Sequence, residues 1–315
     1  MRMLAKIMVV GLIIASSALS ARSAEKDIFD FAAQKAAPKS MKKIVFVADT
    51  APHGPRGNHE FLAAAILLAR TINAAYPDSA YCVVHTKAHW PKDLSHADAI
   101  IVLLNDGGSA VNPAVQAAVE RGAGFMGIHY AVEVSKGKNG DAFLKWMGGY
   151  FETFWSVNPT WKAEISTLPD HAVTRGVKPF TIKDEWYYHM RFVPDMAGVT
   201  PILSAVPPKS SLSGKDPSAR GTNSVVAAEV AAGKPQHLAW AYERPNNGGR
   251  GFGFTGLHYH VNLADDNLRT VLLNAVAWTA GLDVPQGGVS SKTPSPKDLE
   301  DLIDEGKKAA REYGI

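Results

Sequence analysis

The sequence predicts an α/β fold with a mostly parallel central sheet, helices on both faces and antiparallel strands added in the second half. Three observations predict it. Short, mostly apolar runs recur at 44–48, 81–85, 99–104 and 124–128, and a strand apolar on both faces is one buried between two layers. Helix-like or turn segments separate these runs, and strand–helix–strand repetition implies parallel strands joined by right-handed crossovers. Beyond residue 129 the runs are parted by Gly, Pro, Asn and Ser clusters, the pattern of antiparallel strands and long loops.

In chain order, residues 1–24 carry a secretory pattern: Arg2 and Lys6, an apolar run over 7–18, then Ser20, Ala21, Ser23 and Ala24. The expectation is a signal peptide and a periplasmic or secreted protein, with an uncleaved anchor as the alternative. Removing Arg2, Lys6 and Arg22 lowers the formal charge from +3 to zero. The basicity therefore belongs to the targeting segment and gives no support to nucleic-acid binding. Residues 25–41 read as a polar arm. The α/β domain is expected over 42–282, since 315 residues with 46% hydrophobic content suit one large core.

Within the domain, the run 44–48 is the first strand, and a buried helix over 61–75 follows with Asn58 as its cap. The helix after the third strand has Asn112 as cap, Pro113 at its first position and Gly122 past its end. The run 124–128 is the fourth strand and delivers His129 to its tip. A short helix is expected over 141–147, β-like runs at 161–166, 180–182, 201–206, 225–230, 237–242 and 252–256, and a closing helix over 265–280 stopped by Gly281. Residues 283–315 read as a Pro/Gly/Ser linker and a peripheral helix.

The candidate chemistry converges by topology, because ligands gather at the carboxyl ends of parallel strands. His53, His59 and Glu60 follow the first strand, and His129 follows the fourth. At a helix N-terminus His129 would stay neutral, suiting a general base, a hydrogen-bond donor or a metal ligand. The run Asp184-Glu185-Trp186-Tyr187-Tyr188-His189 adds carboxylates, aromatics and a histidine. Asp184 and Glu185 point to opposite faces if the segment is extended. His258 and His260 would share a face on a continuing strand and form a metal pair, with His129, His189 or Glu185 as third ligand. Arg250 stands in a glycine-rich turn and suits a hydroxyl or carboxylate. The catalytic expectation rests on His129, Glu185 and His258. The substrate-binding expectation rests on His53, His59, Glu60, Trp186, Tyr187, His189, Arg250 and His260.

No His-Glu-x-x-His and no Walker pattern is present, and neither a metal nor a cofactor is part of the leading expectation. Cys82, the sole cysteine, lies inside a strand run. It excludes an intramolecular disulfide and a cysteine metal site.

Several segments together resemble the ThuA-like (trehalose-utilisation) domain over roughly residues 42–282. They are Gly124–Ala131, Trp146–Glu152, His171–Gly176, Asp184–Tyr187, Gly249–Phe252 and Gly256–His258. The resemblance implies a flavodoxin-like, class I glutamine amidotransferase-like fold, and chemistry on a disaccharide or 3-keto-sugar. Carried over by position, it points again to His129, Glu185 and His258. Where the amidotransferases keep their cysteine this chain has His129, and an imidazole cannot replace that thiolate, so glutaminase activity is not expected. The leading expectation is an exported carbohydrate-active enzyme using general acid/base chemistry on a small-molecule sugar, with a homo-oligomer left open. The alternatives are a non-catalytic sugar-binding module and a metal-dependent hydrolase built on His258 and His260.

Overall fold

The computed structural model describes residues 26–212 and 223–312. The expected signal peptide therefore lies outside the described residues. Among those described, no helix is long and apolar enough to cross a membrane. The first half runs α1 (Phe31–Ala36), β1 (Lys42–Ala48), α2 (Phe61–Ala75), β2 (Ala80–Thr86), β3 (Ala99–Leu103), α3 (Pro113–Glu120) and β4 (Gly124–Ile128). Next come β5 (Glu133–Val134), α4 (Lys138–Met147), β6 (Gly149–Glu152), β7 (Thr160–Ile165), β8 (Phe180–Glu185), β9 (Arg191–Phe192) and β10 (Val199–Ala205). The chain closes with α5 (Ser224–Ala231), β11 (Gln236–Glu243), β12 (Arg250–Phe254), α6 (Asp266–Thr279) and α7 (Pro296–Glu312).

The central sheet has seven strands in the order β10-β11-β12-β4-β3-β1-β2. The five from β12 to β2 are parallel, and β11 runs antiparallel between β12 and β10. The parallel part has the flavodoxin-like order, in which the connections switch direction at the first strand. Alternation along β1 explains its continuous apolarity. Ile44 and Phe46 enter one core with α2 and α6, while Val45 and Val47 enter the other with α3 and α4. Only a strand covered on both faces needs both sets apolar.

The structure revises several local expectations. Residues 225–230 form α5 and not a strand, because Asn223 accepts hydrogen bonds from the backbone of Val225 and Val226 and caps a helix. The run 161–166 does not join the central sheet; β7 and β8 make a separate hairpin, and β5, β6 and β9 a second small sheet. The polar arm is packed. Ile28 is buried, and Gln34 donates to the carbonyls of Ile44 and Tyr81 at 3.0 and 2.7 Å. Asn58 does not cap α2, whose first turn follows Glu60, because Asn58 bridges to Tyr259 instead. His129 opens a four-residue 3-10 turn, His129–Val132, and α4 starts only at Lys138. An α-helix dipole therefore does not act on His129, since that field needs a helix aligned behind the residue.

Candidate metal centre

Four segments meet at the carboxyl edge of the parallel strands. His59 comes from the loop after β1, His129 from the tip of β4, His258 from the segment after β12, and Glu185 from the end of β8. Each offers one ligand atom, and the four atoms lie within 4.8 Å of one another. Nδ1 of His258 is 3.1 Å from Nε2 of His59 and 3.1 Å from Oε2 of Glu185. Nε2 of His129 is 3.4 Å from the same Glu185 oxygen. Ligands about 2.0–2.2 Å from a tetrahedral cation stand roughly 3.3 Å apart, so these separations suit one ion at the centre.

Outer partners fix the rings. Nδ1 of His129 donates to the Thr255 carbonyl at 2.8 Å, and Nδ1 of His59 donates to the His53 carbonyl. A carbonyl only accepts, so each ring keeps its proton on Nδ1 and turns the Nε2 lone pair inward, as metal-binding histidines do. The Asn58 side-chain amide lies 2.9 Å from Nε2 of His258. Its Nδ2 donates to that nitrogen, so the His258 proton sits on Nδ1, facing Glu185. Burial, then the neighbouring rings of His129 and His258, push the pKa of His59 down to about 4. Burial disfavours the Glu185 carboxylate, but the His129 and His258 rings beside it outweigh that and hold its pKa well below the ordinary range. Neutral imidazoles and an ionised carboxylate are the forms that bind metals.

The backbone is strained where it aims these groups. His59, His129 and Leu257 have φ of 52°, 57° and 79°, a left-handed region costly for residues with a Cβ. Two loop ties help to hold it: His59 N donates to the His258 carbonyl, and His260 N to the Gly57 carbonyl, both at 2.9 Å. Asp184 does the same for the strand end. Fully buried, it accepts from the backbone of Glu185, Leu257 and His258 at 2.8, 2.8 and 3.0 Å, and from Asn262 at 2.9 Å. Asp184 and Glu185 do face opposite ways, one into this clasp and one into the centre.

The remaining sequence candidates separate. The Tyr187 hydroxyl is 3.3 Å from Nε2 of His129, and the exposed His53 ring stands 5.3 Å from His59 and 6.0 Å from Tyr130, at the mouth. Glu60 turns back to accept from Gly57 N. Trp186 is core, packed on Phe254 and directly over Gly256. His189 belongs to another cluster, bonded to Glu229 at 2.9 Å and packed at a tilt on Trp155. Arg250 opens β12, at the opposite edge of the sheet, where it donates to the Trp278 carbonyl and covers the Trp278 ring. Five residues of extended chain, roughly 15 Å, separate it from the site edge. His260 does not share a face with His258. The strand stops at Phe254, Leu257 turns left-handed, and His260 opens a 3-10 turn beside Leu299.

Asp184, open in the sequence between catalysis and structural ion pairing, is a backbone clasp, and Asn58 supports His258 instead of capping a helix. A signal for Asp184 was available: β8 alternates buried and exposed residues, and Asp184 occupies the apolar phase of Phe180 and Ile182. A carboxylate there must meet buried donors.

Known proteins share the fold. A ThuA-like protein from Bacteroides uniformis ATCC 8492 superposes with a TM-score of 0.52 at 19% identity, over 77% of this chain and 92% of that one. A ThuA-like protein from Parabacteroides merdae ATCC 43184 gives 0.48 at 13% identity, over 81% and 94%. No curated protein matches. The family model for ThuA, trehalose utilisation, matches residues 54–279, a span that contains all four converging side chains. The chain belongs to the ThuA family.

Proposed function

We propose that the protein is a metal-dependent enzyme acting on a disaccharide or 3-keto-sugar, with one divalent cation held by His59, His129, Glu185 and His258. The observation that carries this reading is the convergence of three imidazole nitrogens and one carboxylate oxygen within 4.8 Å, on elements spread from residue 59 to residue 258. The family description, trehalose utilisation, supports the substrate class. A cation of the zinc class would supply a Lewis acid able to polarise a sugar carbonyl or hydroxyl.

The chain's own residues do the rest. Glu185, kept ionised, balances cationic charge and orients His129 and His258. The Tyr187 hydroxyl, fully buried beside His129, is placed to donate to an oxygen brought to the centre. Tyr130 and His53 stand at the mouth, where a sugar ring meets aromatic faces. The positively charged N-region and apolar run of residues 1–24 support export to the periplasm or medium.

A second reading is metal-free acid/base chemistry, favoured by the 3.1 Å contact between His258 and Glu185. Elemental analysis of the dialysed full chain, followed by assay of disaccharides and 3-keto-disaccharides with and without a chelator, separates the two. The proposal expects about one bound ion and turnover that chelation removes and the ion restores. Turnover indifferent to chelation selects the metal-free reading, and sugar binding without turnover selects a binding module.

A further inference from the structure

The family match ends at residue 279, and α7 lies beyond it, yet α7 reaches the back of the metal centre. Its buried residues Leu299, Ile303, Gly306 and Ala309 form one helical stripe, and the helix packs on α2 and on the turn His260–Ala264. At Gly306 the helix passes Leu62 and Ala63 in the first turn of α2. Ile303 and Gly306 line one small cavity together with His59, Glu60 and Phe61. The helix therefore backs onto the segment that carries His59.

Polar ties act on the same segment. Arg56, three residues before His59, donates from Nε to Glu300 at 2.8 Å and from Nη1 to Asp304 at 2.9 Å. On the other side, Leu299 lies beside His260, two residues after His258. The helix thus grips both loops that carry ligands, and those loops are the pair joined by the His59–His258 and His260–Gly57 backbone bonds.

We propose that α7 is a positioning clamp for the metal centre, with Arg56 as the residue through which it holds the His59 loop. The inference rests on the metal-dependent reading above. A left-handed His59 persists only where its surroundings over-determine it, and an exposed ion pair adds little to global stability. Arg56 therefore acts mainly by restricting where the His59 ring points. Outer partners of metal ligands change metal affinity about 10–100-fold.

The test is Co²⁺ affinity of the full chain, measured by competition with a chromophoric chelator, for Arg56→Gln, Arg56→Lys and Arg70→Gln. Arg70 pairs with Glu305 and ties α7 to α2 away from the loop, so it is the control for helix docking. Expected are binding about 10-fold weaker in Arg56→Gln, near-parental binding in Arg56→Lys, and parental binding in Arg70→Gln. Equal weakening in Arg56→Gln and Arg70→Gln, or none in Arg56→Gln, overturns the clamp. A chain ending at Ser295 should lose at least as much as Arg56→Gln; a folded truncated protein with parental affinity also overturns it. If that chain does not fold, the arginine series decides. Failure of the parent chain to take up Co²⁺ is a different result, which sinks the metal-dependent reading itself.

Discussion

Nε2 of His59 and Nδ1 of His258 stand 3.1 Å apart across 199 residues of sequence. Two such nitrogens can share a proton or a cation, but two protons between them repel, which adds to the burial and the His129 ring that lower the pKa of His59. His59→Ala and His258→Ala should each weaken Zn²⁺ or Co²⁺ binding by more than about 100-fold, since even outer partners cost 10–100-fold. His53→Ala should leave affinity near the parental value, because only the carbonyl of His53 bonds to the ligand ring. Chelator competition reads all three, and a His53→Ala loss equal to that of His59→Ala would place the centre elsewhere.

Asp184→Asn removes one acceptor oxygen from four donors and turns an amide NH₂ toward them. Leaving buried N–H groups unpaired costs about 1–3 kcal/mol each, so urea unfolding should report a loss of about 2–4 kcal/mol. Metal affinity should fall as well, because the backbone of His258 loses its anchor. Unchanged stability would mean that other groups hold the Leu257–His258 backbone.

Acid should destabilise the metal-free protein before most carboxylates titrate. Burial pushes His260 down to about 4, from an ordinary value of 6.5. Between those values the unfolded chain binds more protons than the folded one, so stability is complete above pH 6.5 and falls as the pH drops toward 4. At pH 5 this one group should account for about 2 kcal/mol lost relative to pH 8. Urea midpoints at the two pH values give the drop, and His260→Gln should shrink it by that amount. An equal drop in the variant would mean that His260 does not titrate this way.

Arg250→Gln tests whether the glycine-rich turn belongs to the site. The side chain bonds and covers Trp278 at the far edge of the sheet. Sugar and metal binding should stay parental while stability falls by about 1 kcal/mol. A calorimetric titration in which sugar affinity collapses would contradict the geometry.

What the sequence disclosed follows from the range of each interaction. The strand runs and the Asn112-Pro113 helix start are local signals, and they placed β1 to β4 and α3. The site edge was legible because topology alone sends residues 53–60 and 129 to the same end. Distance in sequence hid the rest. His59 joins His258 through backbone bonds between two irregular loops, and no periodicity marks such a pairing. His258 and His260 looked like a pair because period two was extended past Phe254, where the left-handed Leu257 breaks it. Residues 225–230 misled because β-branched composition favours a strand while one capping residue, Asn223, decides for a helix.

Tyr187 carries the prediction that bears most directly on chemistry. Its ring packs on His129 and Phe151 with centroids 4.7 and 5.1 Å away, which fixes the hydroxyl 3.3 Å from Nε2 of His129. Burial, then the carboxylates of Glu185 and Glu133, raise its pKa well above 10, so the phenol keeps its proton at any working pH and serves as a donor. When a cation takes the His129 lone pair, that O–H must find another acceptor, and a substrate oxygen at the centre is the one the proposed function provides. Tyr187→Phe removes the donor and preserves the ring packing. It should leave metal stoichiometry at the parental value and lower kcat about 100-fold, in the range for a positioned proton donor, with KM changed much less. A loss of metal in Tyr187→Phe would make the hydroxyl a structural support of His129, and parental kcat would remove it from the reaction.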